Sequence, residues 1–406
     1  MKQERREQVA GTVAVFASFQ GPGQRVLSGL VKWAQQYPQL VLHALCPAEF
    51  SSIQCFDETP FDAAVVVDTG DPLPESLQQL TIPVVRVFDR PAGCKDTLVG
   101  VDHQEIGHLA AQHLHGRGFR HVAFVGGMDA PFAKVRYEAF KRYLDQQGVS
   151  FHLFGEGFPS RDRAVQQSVQ LSTFRERLKV WLRSLPKPVG ICALDDWKAF
   201  ETQMLCRQLD IAVPEQVALV GVNDDELPCQ LSHPNLTSIR LPLESMGFEA
   251  GNCIHALLTT GRASDKILRC VGLLTRGSSN TFSVGDAVVA QALRFMQMHC
   301  HKPIRIENVL QHVGVSRSLL ERRFRSEIAR TPLMELRRQR VERARELLAD
   351  TDLAIQKIAE LTGFASNIRF TTVFREQMGI TPTEFRVQMR GWEVDDVAIA
   401  REPHPA

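Results

Sequence analysis

The sequence predicts an α/β region of two lobes followed by an all-α region that carries two helix-turn-helix motifs. Three observations predict it. From Gly11 to about Leu274, short β-branched runs alternate with amphipathic stretches, the pattern of βαβ units around a parallel sheet buried on both faces. After the small polar stretch Arg276 to Ser283 (RGSSNTFS), the strand-like runs stop and helical periodicity becomes continuous. Within this helical region the same pattern occurs twice, 50 residues apart.

The elements follow in order. GTVAVF opens the first strand at Gly11, and VLSGLVKWAQQ has helical spacing; LVLHAL, AAVVV and PVVRVF are strand-like, IGHLAAQHL helical, HVAFVG a strand, YEAFKRYL helical, VGICAL and VALVGV strands. About 265 residues is generous for one sheet, which is why two lobes are expected. In the helical region Val289, Ala292, Leu293 and Met296 recur at i, i+3, i+4 and i+7 and define a first helix. Gly314-Val315-Ser316 leads to Phe324-Arg325 and Thr331-Pro332, and Gly363-Phe364 leads to Phe374-Arg375 and Thr381-Pro382. Each unit has a short helix (306 to 312; 355 to 361), a glycine that supplies positive φ for a tight turn, and a second helix opened by Ser316 or Ser366 as N-cap. The expected boundaries are an N-terminal tail (1–10), the α/β region (11–275), a linker (276–284), the helical region (285–391) and an acidic C-terminal tail (392–406).

Charge supports the division. The 406 residues sum to +1, which alone points to neither nucleic acid nor a membrane surface. Residues 286 to 391, however, hold 18 basic against 12 acidic side chains, so a net +6 helical region is offset by −5 elsewhere. Nine scattered cysteines without a C-x-x-C pair fit neither a disulfide framework nor a zinc finger. With no apolar stretch near the roughly 20 residues of a membrane span, a cytoplasmic protein is expected.

In the first unit Leu320, Phe324 and Ile328 turn inward, which leaves Ser318, Glu321, Arg322 and Arg325, with Arg317 beside them, on the outer face. In the second, Phe370, Val373 and Phe374 turn inward and Ile368, Thr371, Thr372 and Arg375 face out, flanked by Asn367 and Arg369. A major-groove helix needs such a stripe: Arg322 suits guanine, Asn367 adenine, and Ile368 a thymine methyl. Ten arginines and four glutamates between Ser316 and Arg345 suit phosphate clamping, or else a solvated face with ion pairs such as Arg338 with Glu342.

With these residues in view, 287 to 390 resembles the DNA-binding domain of AraC-type transcription regulators, most specifically in LAIQKIAELTGFASNIRFTTVFREQMGITPTEFR, with a long helix from Pro332 to Ala349 joining the units. The α/β region resembles the periplasmic-binding-protein-like sensor of LacI-type regulators, through ALDDWKA and LVGVNDDE at strand ends. Those sensors normally follow an N-terminal headpiece, for which the first strand at Gly11 leaves no room. The resemblance implies double-stranded DNA with repeated half-sites, a homodimer, RNA polymerase as a further partner, and a pentose-like sugar, D-xylose first, as the ligand.

In open α/β folds ligands sit beyond the carboxyl ends of the strands. Arg25, Asp102, Arg136, Asp195, Asn223 and Asp224 fall in those loops, with Phe132 and Trp197 placed to stack on a ring face. Together they satisfy hydroxyls, each both donor and acceptor. The resemblance implies ligand contact at Arg25, Arg136 and Asn223, while Asp195 and Asp196, just ahead of a helix, equally suit capping.

Other functions fit the residues less well. GPGQRV after the first strand suggests a dinucleotide-binding oxidoreductase with an appended helical domain, but Val26 stands at the third glycine position and no ribose-binding carboxylate follows the next strand. The signatures of phosphoryl transfer, zinc proteolysis and α/β-hydrolases are missing, so no enzyme and no cofactor are expected. His103, His108, His113, His115 and His121 lack the spacing of a metal set and read as a helix surface. An adaptor would need an exposed apolar stripe where the helical half carries arginines.

Overall fold

A computed structural model describes residues 10–45, 61–67, 80–91, 93–128, 130–156 and 168–390. The first lobe holds β1 (Gly11–Phe16), α1 (Gly21–Ala34), β2 (Leu40–Leu45), β3 (Ala63–Val67), β4 (Val84–Val87) and β5 (Thr97–Val101). The second holds α2 (His103–His115), β6 (His121–Val125), α3 (Pro131–Gln147), β7 (Ser150–Phe154), α4 (Ser168–Ser184), β8 (Val189–Ala193), α5 (Asp196–Gln208), β9 (Val217–Asn223), α6 (Glu226–Leu231) and β10 (Thr237–Arg240). α7 (Leu243–Thr260) and β11 (Lys266–Leu268) return to the first lobe, and β12 (Gly272–Leu274) ends the second.

Each lobe is built on a six-stranded sheet. The first runs β11-β5-β4-β3-β1-β2 with every pair parallel. The second runs β12-β10-β9-β8-β6-β7, parallel except where β12 pairs antiparallel with β10. All five residues of β3 are buried, as an AAVVV run covered on both faces requires. The chain passes between lobes at Asp102, at Leu241–Pro242 and at 269–271, a triple connection that opens a cleft at the carboxyl ends of the strands. α1 and α7 pack almost backbone to backbone. A Cβ on Gly29 would lie 1.9 Å from the Glu244 carbonyl oxygen, and one on Gly247 1.9 Å from that of Val26, so only glycine fits at either place.

The C-terminal domain holds α8 (Ala287–His299), α9 (Ile306–Val313), α10 (Arg317–Ile328), α11 (Pro332–Asp350), α12 (Ile355–Leu361), α13 (Asn367–Met378) and α14 (Pro382–Arg390). It has two small cores. Val289, Leu293, Met296, Leu320, Phe324 and Ile328 close on Leu336 of α11; farther along the same helix Val341, Ala344 and Leu348 pack with Ile358, Phe370, Phe374 and Phe385. Each helix-turn-helix turns on a left-handed glycine, Gly314 at φ 68° and Gly363 at φ 73°. Ser316 Oγ accepts from the Leu319 N–H (3.4 Å) and Ser366 Oγ from the Arg369 N–H (3.2 Å), the expected caps.

The stretch 276–283 is anchored to the second lobe. Ser278 Oγ donates to the Leu219 carbonyl (2.7 Å) and accepts from the Thr237 N–H (2.8 Å), and Ser279 Oγ donates to Thr237 Oγ1 (2.8 Å). Small hydroxyl residues serve here because they fit under a strand and satisfy its edge.

Candidate ligand cleft and nucleic-acid interface

The cleft brings together most of the strand-end residues and shows what each side chain does there. Arg25, on α1 of the first lobe, reaches the second: its guanidinium donates to the Asn223 and Asp224 carbonyl oxygens at 3.4 and 3.3 Å. Asn223 (φ 110°) and Asp224 (φ 53°) both occupy left-handed backbone, as does Phe88 (φ 81°) just after β4. Such strain in residues with side chains concentrates at binding sites, where the surrounding structure holds it. Arg136 is buried; Nε donates to His103 Nδ1 (3.1 Å), a second nitrogen donates to the Leu194 carbonyl (2.8 Å), and the guanidinium lies 5.0 Å from the centre of the Phe132 ring. Burial lowers its pKa to about 10, so it remains a cation at neutral pH.

Other members of the expected set are engaged locally. Asp102 caps α2 through the Gln104 and Glu105 N–H groups (2.9 and 3.0 Å), and Asp195 caps α5 through the Lys198 N–H (2.9 Å) while pairing with the Lys198 ammonium. The Asp224 carboxylate pairs with Arg240 and with Arg276 (2.7 Å). Trp197 packs edge-on against Phe200 and donates its indole N–H to Asp225.

Three further groups in the cleft are not evident from the sequence. The Asp225 carboxylate approaches the start of α1: a Cβ on Gly21 would lie 3.0 Å from it. Asp196 is wholly buried, accepting from Ser238 Oγ (2.5 Å) and the Asp225 N–H (2.8 Å), and burial raises its pKa well above the ordinary value. Its neighbour Asp195 takes the cap, which spacing alone leaves open between the two. His103 does not lie on the helix surface that its spacing suggests. Its Nδ1 accepts from Arg136, and its ring packs beside Phe132 (5.4 Å) and the Phe88 backbone.

The glycine loop has a structural explanation that a dinucleotide does not enter. A Cβ on Gly23 would lie 2.4 Å from the Ser18 carbonyl oxygen, so the glycine serves the tight strand-to-helix turn.

On the C-terminal domain the expected stripe is presented outward. Arg317, Ser318, Arg322, Arg325, Asn367, Ile368, Arg369, Thr372 and Arg375 are exposed, and Glu321 and Thr371 half-buried. Ile368 is 82% exposed, an unfavourable place for a large aliphatic group unless something covers it. Arg317 is tied to Glu321 (3.4 Å) and Glu307 (3.8 Å), whereas Arg322 has no ion-pair partner among the described residues.

Three of the arginines between Ser316 and Arg345, Arg330 just ahead of α11 and Arg338 and Arg340 on it, are engaged inside the protein, as the ion-pair alternative to a phosphate clamp has it. Glu335, completely buried, accepts from Arg330 (2.9 Å), from two nitrogens of Arg338 (2.8 and 2.6 Å) and from Gln339 (3.0 Å). Burial pushes its carboxyl up, but Arg338 and Arg330 outweigh that and hold it below the ordinary range. Arg338 also pairs with Glu342, the i,i+4 pair visible in sequence. Arg340 donates to the carbonyls of Cys300, Lys302 and Ile304, tying the connection between α8 and α9 to α11. The network continues into the second lobe: Arg330 donates to the Gly116 carbonyl (2.7 Å), and buried Arg117 donates to Glu342 (3.4 Å) and to His113 Nε2 (3.1 Å), a nitrogen that also lies 2.8 Å from Ser279 Oγ.

His113 thus corrects the helix-surface reading a second time. No group of three His, Cys, Asp or Glu able to hold a metal occurs among the described residues. Burial, then neighbouring arginines, depress both imidazoles: His103 to about 3 and His113 well below its ordinary 6.5. Between these values and 6.5 the unfolded chain binds protons that the folded one refuses, so stability is full above pH 6.5 and lost as pH falls. The urea midpoint is expected to drop between pH 7.5 and 5.5, with a slope approaching about 1.4 kcal/mol per pH unit per imidazole. His113→Asn should flatten the slope; a midpoint that ignores pH would contradict neutral imidazoles in the folded state.

Comparison with known proteins agrees with this architecture. Residues 111–279 match the periplasmic binding protein-like domain family, and 309–388 a helix-turn-helix domain family. The xylose operon regulatory protein of Haemophilus influenzae is 29% identical over 334 residues, covering 80% of this chain and 84% of that protein. Its Escherichia coli K12 counterpart is 29% identical over 293 residues, 71% of this chain and 73% of that one. Among solved structures, that of the xylose-binding transcription activator xylR covers 93% of this chain and 98% of its own with TM-score 0.58 at 24% identity. A LacI family regulator from Enterococcus faecium with bound ribose covers 67% of this chain and all of its own with TM-score 0.54 at 18% identity. No helix among the described residues is long and apolar enough to cross a membrane. The chain is a transcription regulator of the AraC type, with a periplasmic-binding-protein-like sensor ahead of a double helix-turn-helix domain and the xylose operon regulatory proteins as its relatives.

Proposed function

We propose that this regulator senses a pentose, D-xylose first, in the cleft between its lobes and reads repeated half-sites on double-stranded DNA as a cytoplasmic homodimer. The observation that carries the sensing is Arg25. Its guanidinium spans the cleft on two long, weak bonds to backbone carbonyls, contacts that sugar hydroxyls can replace while bridging the same two lobes. Around it stand Arg136 as donor, Asp225, Asn223 and His103 as further polar partners, and Phe132 and Trp197 as ring faces. Asp102 contributes the carboxylate oxygen left over from its cap, while Asp195 and Asp224, with both oxygens engaged, contribute through the backbone and the cations they hold. The names of the two curated relatives favour xylose among pentoses.

Ligand closure of the lobes changes the setting of the C-terminal domain through the Arg117–Glu342 and Arg330–Gly116 contacts, and sugar and DNA affinities are then linked reciprocally. α10 and α13 enter successive major grooves, Arg322 on a guanine and Ile368 on a thymine methyl. RNA polymerase is met at the promoter from that position.

A thermal-shift screen of monosaccharides tests the sensor: D-xylose at 100 times its Kd should stabilise the sensor by about 2.7 kcal/mol. Stabilisation by a nicotinamide dinucleotide and by no pentose would refute the reading. Arg322→Ala is expected to cost about 1 to 3 kcal/mol in binding to the operator with sugar affinity unchanged. Equal loss on random-sequence DNA would make Arg322 a phosphate contact instead.

A further inference from the structure

Between the second lobe and the C-terminal domain lies a cleft of about 1370 Å³, separate from the cleft between the lobes. The ends of α10 (Ile328, Ala329) and α13 (Met378) form one wall; α11 forms another, with Arg337, Arg338 and Arg345 facing it. Arg120, Arg269 and Arg330 complete the basic lining, against the carboxylates of Glu105, Glu327, Glu342 and Glu376.

The charge balance at this junction is unusual. Arg117, Arg330, Arg338 and Arg345 come together around two carboxylates, Glu335 and Glu342, and both carboxylates are already taken up by Arg338 and its neighbours. Arg345 is left over. It makes no hydrogen bond and no ion pair among the described residues, its Nε is buried without a partner, and its guanidinium lies 5.7 Å from the centre of the Phe385 ring. Gly272 keeps room for it, since a Cβ there would lie 2.2 Å from a terminal guanidinium nitrogen. Burial lowers the pKa of Arg345 below the ordinary arginine value, and the nearby Glu342 and Glu346 carboxylates offset that only in part. Arg337, on the same helix and wall, also has no ion-pair partner among the described residues.

We propose that this junction is a second ligand site, where Arg345 and Arg337 bind the phosphate group of a small phosphorylated metabolite. A guanidinium fork matches phosphate oxygens bidentately, and a dianion there neutralises the surplus positive charge of the junction. The opposite wall, made by the carboxyl ends of α10 and α13, offers carbonyl dipoles that favour donors, so the hydroxyls of the metabolite face the reading helices. A ligand so placed touches both helix-turn-helix units and the sensor, and its occupancy feeds a second signal into DNA binding independently of the first cleft.

The test uses the full chain in phosphate-free buffer, with calorimetric titration of inorganic phosphate, a pentose 5-phosphate and a nucleoside monophosphate. Binding of at least one is expected, with Arg345→Met weakening it roughly tenfold or more, the loss of one charge-assisted contact. Arg345→Lys keeps the charge and loses the fork, and decides the matter should the methionine variant not fold; several-fold weaker binding is expected. Tighter binding of the pentose phosphate than of inorganic phosphate assigns a sugar phosphate, and the reverse order assigns the free ion. Heat from none of the three, or affinity that both Arg345 variants leave intact, overturns the proposal. Neither outcome touches sugar sensing, which is read by the thermal shift with free pentoses.

Discussion

Glu335→Ala is expected to destabilise the C-terminal domain by about 3 to 5 kcal/mol, because it strands Arg330 and Arg338 without the carboxylate that compensates their burial. The carboxylate is wholly enclosed and takes four donors from three residues, so no solvent is available to substitute. The loss should appear as a lower urea midpoint and as protease sensitivity at the junction, where Arg330 also holds the Gly116 carbonyl. Glu335→Gln, which keeps the shape and an acceptor but not the charge, should recover only a fraction of it. If the alanine variant unfolds at the wild-type midpoint, the network contributes nothing net and the two domains are held by apolar contact.

Arg136→Ala is expected to abolish ligand-induced stabilisation, lowering sugar affinity by roughly 100-fold or more, since hydrogen bonds from a charged donor contribute about 1.5 to 3 kcal/mol each. The side chain orients His103, braces the Leu194 carbonyl and lies against Phe132, so its removal loosens three positions of the cleft together. Operator binding without sugar should survive, because the reading helices do not depend on it. Arg136→Lys should restore charge without the fork and recover little. Sugar affinity equal to wild type in the alanine variant would remove Arg136 from the ligand site.

How much of this is legible in the sequence depends on the range of the interaction. Strand cores such as Ala63–Val67 and the helix faces around Phe324 and Phe374 are readable because burial on a regular element imposes a period. Glycine turns and serine caps are readable because they act within four residues. The edge strand β11 is not: three residues, with Ile267 exposed, carry no alternation. The roles of Asp102 and Asp195 stay open because a strand-end aspartate before a helix satisfies capping and ligand contact with the same spacing. His113 misleads, and the α11 arginines stay undecided, for a further reason. Their partners stand as far away as the 225 residues between Arg117 and Glu342, and only packing decides that a polar face is an interior one.

The anchoring of residues 276–283 bears on how such a regulator can be re-engineered. Chimeras that place a foreign sensor before this reader would naturally be cut in the Gly/Ser stretch, as though it were inert. Cutting there separates Ser278 and Ser279 from Leu219, Thr237 and His113, and leaves Arg330 and Glu342 facing a surface without Gly116 or Arg117. A working graft has to carry the end of α2 and the parts of β9 and β10 that hold the serines along with the reader, so the transferable module is defined by a contact surface and not by a point in the chain.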